Sequence, residues 1–231
     1  MNPPVSPYER LAAEYYDASR HPTSANFREA SALILGDWLG SLNAVDILEV
    51  GAGRSVVWEV LPQSSASSRN VTITDSSPSM LGYSSDLAGP NVRLMLADAR
   101  DLPFPSTSFD AVVASLGDPY NDTAFWSEAS RVLRSTGSVL FTTPSYEWAQ
   151  AFRDLAPAAE FETREGISLP MPSYVLSKTR QALLMRSAGL EIKLIRDVAI
   201  RELPEPGRSW KVLPSRGLNA SVVTGYWVKK A

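Results

Sequence analysis

Apolar positions along the chain recur with two alternating periods. Between Tyr8 and Arg20, Leu11, Tyr15 and Tyr16 fall on one side of a helix. His21-Pro22-Thr23 interrupts that pattern, because proline disfavours helical backbone in the residue before it. A second helix is predicted from Asn26 to Gly40, with Phe27, Ala30, Leu33, Ile34 and Trp38 as its buried stripe. Val45 to Leu48 then reads as a buried strand that reaches Glu49 and turns at Gly51-Ala52-Gly53. Val56, Val57, Trp58, Val60 and Leu61 mark one face of the helix that follows.

The alternation continues. Val71 to Asp75 is a β-rich strand, and Ser77-Pro78 opens a helix with a cap and a first-turn proline. Val92 to Ala97 is a third strand, ending at Asp98, and Phe109 to Ser115 is a fourth. Ala124 to Arg134 is a helix with Phe125, Ala129, Val132 and Leu133 inward and Gly137 just beyond its end. Ser138 to Thr143 is a fifth strand. Residues 144–174 lose clear periodicity and carry Pro144, Pro157, Pro170 and Pro172; they read as an insertion over the sheet edge with a short helix from Trp148 to Leu155. Leu176 to Ala188 is a helix closed by Gly189, and Leu190 to Ile200 is a sixth strand. A Pro-rich loop from Arg201 to Gly217 precedes a last strand from Ser221 to Val228.

Strands alternating with helices predict an α/β fold: a doubly wound, Rossmann-like, seven-stranded sheet with right-handed crossovers. The last two strands have no helix between them, so the last is expected to run antiparallel. All 231 residues fit one domain. Within it, residues 1–40 are expected to form a helical lid and residues 144–174 a cap over the active site.

Composition narrows the partners. Hydrophobic residues make up 44% and charged residues 20% of the chain, enough apolar material for a core. A net charge of −3 argues against nucleic acid and anionic membrane as partners. The absence of cysteine excludes disulfides, thiolate metal sites and a cysteine nucleophile, and fits a cytoplasmic location. MNPPVSPYER has no apolar signal core, and no run of roughly 18 apolar residues is present to span a membrane. No metal site is expected.

The glycine turn is the first candidate for chemistry, since such sheets bind ligands at the carboxyl ends of their strands. A dinucleotide fingerprint fails, because Val56 stands where its third glycine belongs. A Walker loop fails for want of G-K-[ST]. Glu49-x-Gly51-x-Gly53, followed by Asp75 and Asp98 at the ends of the next two strands, resembles the class I S-adenosylmethionine-dependent methyltransferases. The resemblance covers most of Val45 to Val228, including the order of the seven strands. It implies S-adenosyl-L-methionine as cofactor. Glu49, Gly51 and Gly53 would line its methionine part; Asp75, with Ser76 beside it, would accept from the ribose hydroxyls. Asp98 and the Ala99 backbone would meet the adenine, and Ser115 and Leu116 would lie near the sulfonium. The family's usual third glycine is replaced by Ser55, which is expected to cap the helix, with Arg54 turned away. Independently, a sulfonium and an amine suit a site bearing three acids, and one carboxylate can pair with a ribose diol.

The acceptor side offers fewer signals. Asp118-Pro119-Tyr120 resembles the [DNS]-P-P-[YFW] motif of amino-group methyltransferases, one proline short, and the alternative reading is a turn leading to a helix cap at Asn121 to Thr123. Asp118 and Tyr120 are the substrate-side candidates there, with Asn121 beside them. His21, the only histidine, is a candidate base or cofactor contact, or else a hinge residue. Tyr8, Tyr15 and Tyr16 are candidates for an aromatic wall near the sulfonium. Tyr146 and Tyr174 of the insertion are candidate acceptor contacts. Arg201, Arg208, Lys211 and Arg216 make a basic loop suited to a substrate anion or simply solvated. The expected function is methyl transfer to N or O of a small organic acceptor, with Asp118 and His21 as catalytic candidates. The competing readings are an amino-group methyltransferase acting on nucleic acid or protein, and a non-catalytic cofactor-binding protein.

Overall fold

Seven strands pair into one sheet in the order β3-β2-β1-β4-β5-β9-β8. They are β1 Asp46–Glu49, β2 Asn70–Asp75, β3 Val92–Leu96, β4 Phe109–Ala114, β5 Leu133–Pro144, β8 Leu190–Ala199 and β9 Ser221–Lys230. The structure is a computed structural model and describes residues 6–61, 68–153, 157–204, 208–212 and 219–231. β1 to β5 are parallel, and β9 runs antiparallel between β5 and β8. The fold is therefore the expected Rossmann-like mixed sheet.

Side chains alternate across the sheet, and both faces are covered. Ile47, Ala111, Val113 and Leu140 point into one core, against helices α2 Pro22–Ser41 and α3 Val56–Val60. Leu48, Val112, Val139 and Phe141 point into the other, against α5 Thr123–Val132 and α7 Lys178–Ser187. This two-sided burial is why the central strands read as continuous apolar runs.

Several boundaries differ from the sequence reading. Helix α1 spans Pro7–Tyr15 and stops there. Asp17 Oδ1 accepts from both the backbone N–H and the hydroxyl of Ser19, so the chain turns before Arg20. Pro22 starts α2 rather than merely delaying it, because a proline at the first helical position forfeits no hydrogen bond. Leu133 and Gly137 belong to β5, and Gly137 is not a helix cap. A Cβ there would lie 2.7 Å from Leu133 Cδ1 and 2.9 Å from the Asp110 carbonyl, so close packing rather than a left-handed turn demands glycine.

The 144–174 segment is more regular than predicted. It holds α6 Tyr146–Arg153 and a hairpin, β6 Ala158–Glu162 with β7 Ser168–Pro172. In a two-stranded ribbon both strands are edges, so Pro170 and Pro172 are tolerated. α6 joins the main core through Trp148, whose ring meets Phe27 at 4.6 Å. The hairpin instead packs on α1: Leu11, Leu169 and Met171 form a separate small core with Tyr8, Tyr15 and Phe161. Of the expected features, the end of the helix drawn to Leu155 and Arg216 lie outside the described residues.

Candidate functional site

A cavity of about 720 Å³ opens at the carboxyl ends of β1 to β4. Its floor is Gly51, Ala52, Asp75, Ser76, Leu96 to Arg100, Ser115 and Leu116; α1, the start of α2 and Pro172 of β7 form its roof. The sheet order reverses between β1 and β4, the switch point where open α/β sheets bind ligands.

Asp75 organises the floor. It is 7% exposed, and its Oδ2 accepts from the Gly53 N–H at 2.9 Å. Its Oδ1 accepts from the Ser77 N–H at 2.9 Å, at the start of helix α4 Pro78–Leu81, which Ser77 caps. Burial pushes its carboxyl above the ordinary aspartate value, against the pull of these N–H groups. Asp98 is exposed on the wall beside Leu96, an apolar side chain left 54% exposed at the end of β3. Ala99 completes that wall.

Gly51 and Gly53 have φ +57° and +50°, a region that favours glycine. A Cβ on Gly51 would meet the Tyr120 ring at 2.6 Å, and one on Gly53 the Tyr16 hydroxyl at 2.2 Å. The turn thus lies directly beneath two tyrosines. The Tyr16 oxygen accepts from the Arg54 N–H at 2.7 Å, and the Tyr120 hydroxyl donates to the Val50 carbonyl at 2.9 Å. The Arg54 guanidinium sits 4.5 Å from the Tyr16 ring centre, and that of Arg28 at 5.4 Å. The Tyr16 ring is therefore already engaged by cations.

The wall after β4 is held by hydroxyls. Leu116 has φ +52°, unusual for a branched side chain. Thr142 holds that backbone, its Oγ1 accepting from the Leu116 N–H at 2.9 Å. Ser31 of α2 lies 2.7 Å from both Thr142 Oγ1 and Ser115 Oγ, tying helix to loop. Neither Ser31 nor Thr142 carried a sequence signal, since each works through a partner more than 80 residues away.

His21 lines the roof and is 9% exposed. Its Nε2 is buried with no hydrogen-bond partner among the described residues. Burial holds its pKa below the ordinary value; Glu14 and Asp17 oppose that and Arg20 reinforces it. Helix α1 is pinned at both ends. The Glu9 carboxylate takes the Ser79 N–H at 3.0 Å and both serine hydroxyls of Ser77 and Ser79. Glu14 Oε1 accepts from the Arg164 N–H at 2.9 Å, in the turn of the hairpin. Glu9, Arg28, Glu59, Leu96 and Pro172 escaped the sequence reading, because only the fold brings them together.

Other candidates lie off the cavity. Glu49 is fully buried; its Oε1 accepts from the Val56 N–H at 2.9 Å and the Val57 N–H at 3.2 Å, and its Oε2 from the Ser55 hydroxyl. It serves the N-terminus of α3, beside Ser55, which also caps that helix by accepting from the Trp58 N–H at 3.0 Å. Burial lifts the Glu49 carboxyl to about 7. Asp118 is 7% exposed and accepts from the hydroxyl of Ser173, the residue just past β7, and is not among the residues that line the cavity. Asn121 is a structural tie, accepting from Trp126 Nε1 at 2.8 Å and donating to Gln181 at 2.8 Å and the Tyr174 carbonyl at 2.9 Å. Tyr146 and Tyr174 are absent from the lining as well. Of the acceptor-side candidates, Tyr120 and His21 reach it.

The donor set fits a nucleoside with a cationic tail: a buried carboxylate at the end of β2, an exposed one after β3, a flat apolar wall and a glycine turn with no room for side chains. Among the described residues no helix is long and apolar enough to cross a membrane. A family model described as a methyltransferase domain matches residues 47–137. No protein of curated function matches the sequence. A Pyrococcus horikoshii protein is similar in structure, with TM-score 0.65 and 14% identity over 97% of this chain and 98% of its own. An S-adenosylmethionine-dependent methyltransferase of Methanosarcina mazei gives 0.61 and 15%, over 84% and 96%. The Burkholderia thailandensis 1,6-didemethyltoxoflavin N1-methyltransferase, bound to its substrate and S-adenosylhomocysteine, gives 0.57 and 17%, over 100% and 93%. At such identities the likeness is one of fold. Residues 47–137 thus match a methyltransferase domain, within a chain whose fold is shared with S-adenosylmethionine-dependent methyltransferases of known structure.

Proposed function

We propose that the enzyme methylates an N or O atom of a small organic acceptor, with His21 as general base. One observation carries this reading: His21, whose Nε2 is buried with no partner among the described residues, lines the cavity that also holds Asp75, Ser115 and Leu116. Burial keeps the ring neutral at neutral pH. In its Nδ1–H tautomer the ring presents a lone pair at Nε2, ready to take a proton from a hydroxyl or an N–H.

Asp75 and Ser76 would hold the ribose, Asp98, Ala99 and Leu96 the adenine, Gly51 the methionine part, and Ser115, Leu116 and Tyr16 the reacting end. When bound, S-adenosylmethionine supplies a methyl group already activated at sulfur. The chain supplies alignment, a dry site and a proton acceptor. Residues 6–41 and the β6–β7 hairpin act as the lid over both ligands. Asp118 positions that hairpin through Ser173 instead of touching the acceptor. With Asp118 engaged in this way, the reading proposed here does not use Asp118-Pro119-Tyr120 as an amino-methyltransferase motif.

The test is transfer of labelled methyl from S-adenosylmethionine to hydroxyl and amine acceptors, comparing wild type with His21→Ala. The variant should lose at least tenfold in kcat/KM while cofactor affinity, read by calorimetry, is unchanged. Equal turnover would remove His21 as base.

A further inference from the structure

We propose that the acceptor is a flat, uncharged aromatic compound with one ring hydroxyl, lying against Tyr8, Tyr15 and Pro172 with that hydroxyl donating to His21 Nε2. This rests on the methyl-transfer reading above and adds the class of substrate.

Shape comes from the rings. At the roof end the cavity is walled by Pro7, Tyr8, Tyr15, His21, Ala25 and Pro172. Tyr8 and Tyr15 meet edge to face at 5.8 Å. Phe161 of the hairpin backs this wall, stacked on Tyr15 at 6.2 Å and tilted on His21 at 5.5 Å. Three aromatic groups are thus braced by a small core of their own and present ring surface to the cavity. A planar π-system matches such a wall, because ring pairs gain beyond the area that they bury.

Charge comes from what the lining lacks. Burial holds the Tyr8 and Tyr15 hydroxyls far above neutral pH, so both stay un-ionised, and it keeps His21 neutral. Two of the cavity's three arginines are ion-paired, and the third is held over a ring. Arg28 pairs with Glu59 at 2.8 Å and Arg100 with Asp122 at 2.6 Å, while exposed Arg54 lies over the Tyr16 ring. Glu29 stands exposed at the rim. At the roof end an ionic acceptor would bury its charge among neutral rings, a costly arrangement.

Polarity comes from the one unmet group. His21 Nε2 is shut from solvent and bonded to nothing among the described residues. His21 lines the cavity, and a ligand hydroxyl that reaches its Nε2, with a shift of the ring, would satisfy this buried acceptor. At about 720 Å³ the cavity lies in the upper part of the roughly 300–1,000 Å³ range of small-molecule sites. That leaves space for a two-ring acceptor beside the cofactor.

The test measures binding to the protein loaded with S-adenosylhomocysteine, by calorimetry, for three probes: 1-naphthol, its saturated analogue decahydro-1-naphthol, and 5-hydroxy-1-naphthoic acid. 1-Naphthol should bind at least tenfold more tightly than either analogue. Tyr15→Leu should erase the preference over the saturated probe, and Tyr8→Leu serves if that variant does not fold. Equal affinity for the saturated or the charged probe, or no binding of 1-naphthol, overturns the proposal. Labelled-methyl transfer is read in parallel. Selective binding of 1-naphthol without transfer supports the ligand class and overturns the methyl-transfer reading. Transfer confined to saturated or charged acceptors does the reverse.

Discussion

Replacing Ser55 by alanine removes one oxygen with two duties. It caps α3 at the Trp58 N–H, and it donates to a carboxylate, Glu49, with no access to solvent. Loss of a cap costs about 1 kcal/mol and loss of a hydrogen bond to a charged group about 1.5–3 kcal/mol, so the variant should lose roughly 2.5–4 kcal/mol above pH 7. At about 2–4 °C per kcal/mol for a chain of this size, Tm should fall by roughly 5–15 °C. The loss should depend on pH. Glu49 has its pKa lifted from 4.5 to about 7 in the folded state, so near pH 5.5 it is protonated and the bond to Ser55 is a neutral one. The penalty should therefore shrink by about 1 kcal/mol there. The assay is urea unfolding of Ser55→Ala, Glu49→Gln and the double variant at pH 5.5 and 8. The two substitutions should couple by about 1 kcal/mol or more. A loss below about 0.5 kcal/mol at both pH values, or strict additivity, would refute the placement of Ser55 against Glu49.

The same carboxyl predicts a slope in the wild type. Its folded pKa lies above its unfolded one, so the unfolded state loses its proton first, and this group's contribution to stability falls between about pH 4.5 and 7, by about 3 kcal/mol, then levels off. Wild type minus Glu49→Gln should show that fall; a flat difference would contradict it. Gly53→Ala drives a Cβ into the Tyr16 hydroxyl at a left-handed φ, and should weaken S-adenosylmethionine binding at least tenfold by calorimetry. For His21, the folded pKa lies below 6.5, so its contribution to stability is lost as pH falls below the unfolded value. A rate dependent on the neutral ring should fall only at still lower pH, and a profile unchanged in His21→Ala would assign the titration elsewhere. Glu9→Ala frees one end of α1 from Ser77 and Ser79, and should speed proteolysis before His21, with protection by the cofactor reduced.

Much of the fold was legible because local rules and global topology agree here. Buried parallel strands need apolar runs, turns into helices need glycine or a capping serine, and each left its mark at Val45 to Ser55, Val71 to Pro78 and Phe109 to Ser115. Ser55 and Ser77 cap their helices as read. The β6–β7 hairpin escaped, because its prolines argue against a strand everywhere except on an edge. Asp118 was chosen for its position after β4, but the side chain is drawn to Ser173, a residue 55 positions away. Glu49 was chosen for its strand end, yet a short β1 and the capped start of α3 fold the carboxylate inward. By itself, then, the sequence determined the element order, the sheet and the strand-end carboxylates Asp75 and Asp98, since those follow from periodicity and turn chemistry within a few residues. Which groups share one cavity was decided only in three dimensions. The lone nitrogen of His21, the aromatic wall behind it and the pairing of Arg28 with Glu59 depend on contacts between segments that sequence spacing does not record, and on burial, which acts only once the chain has closed over them.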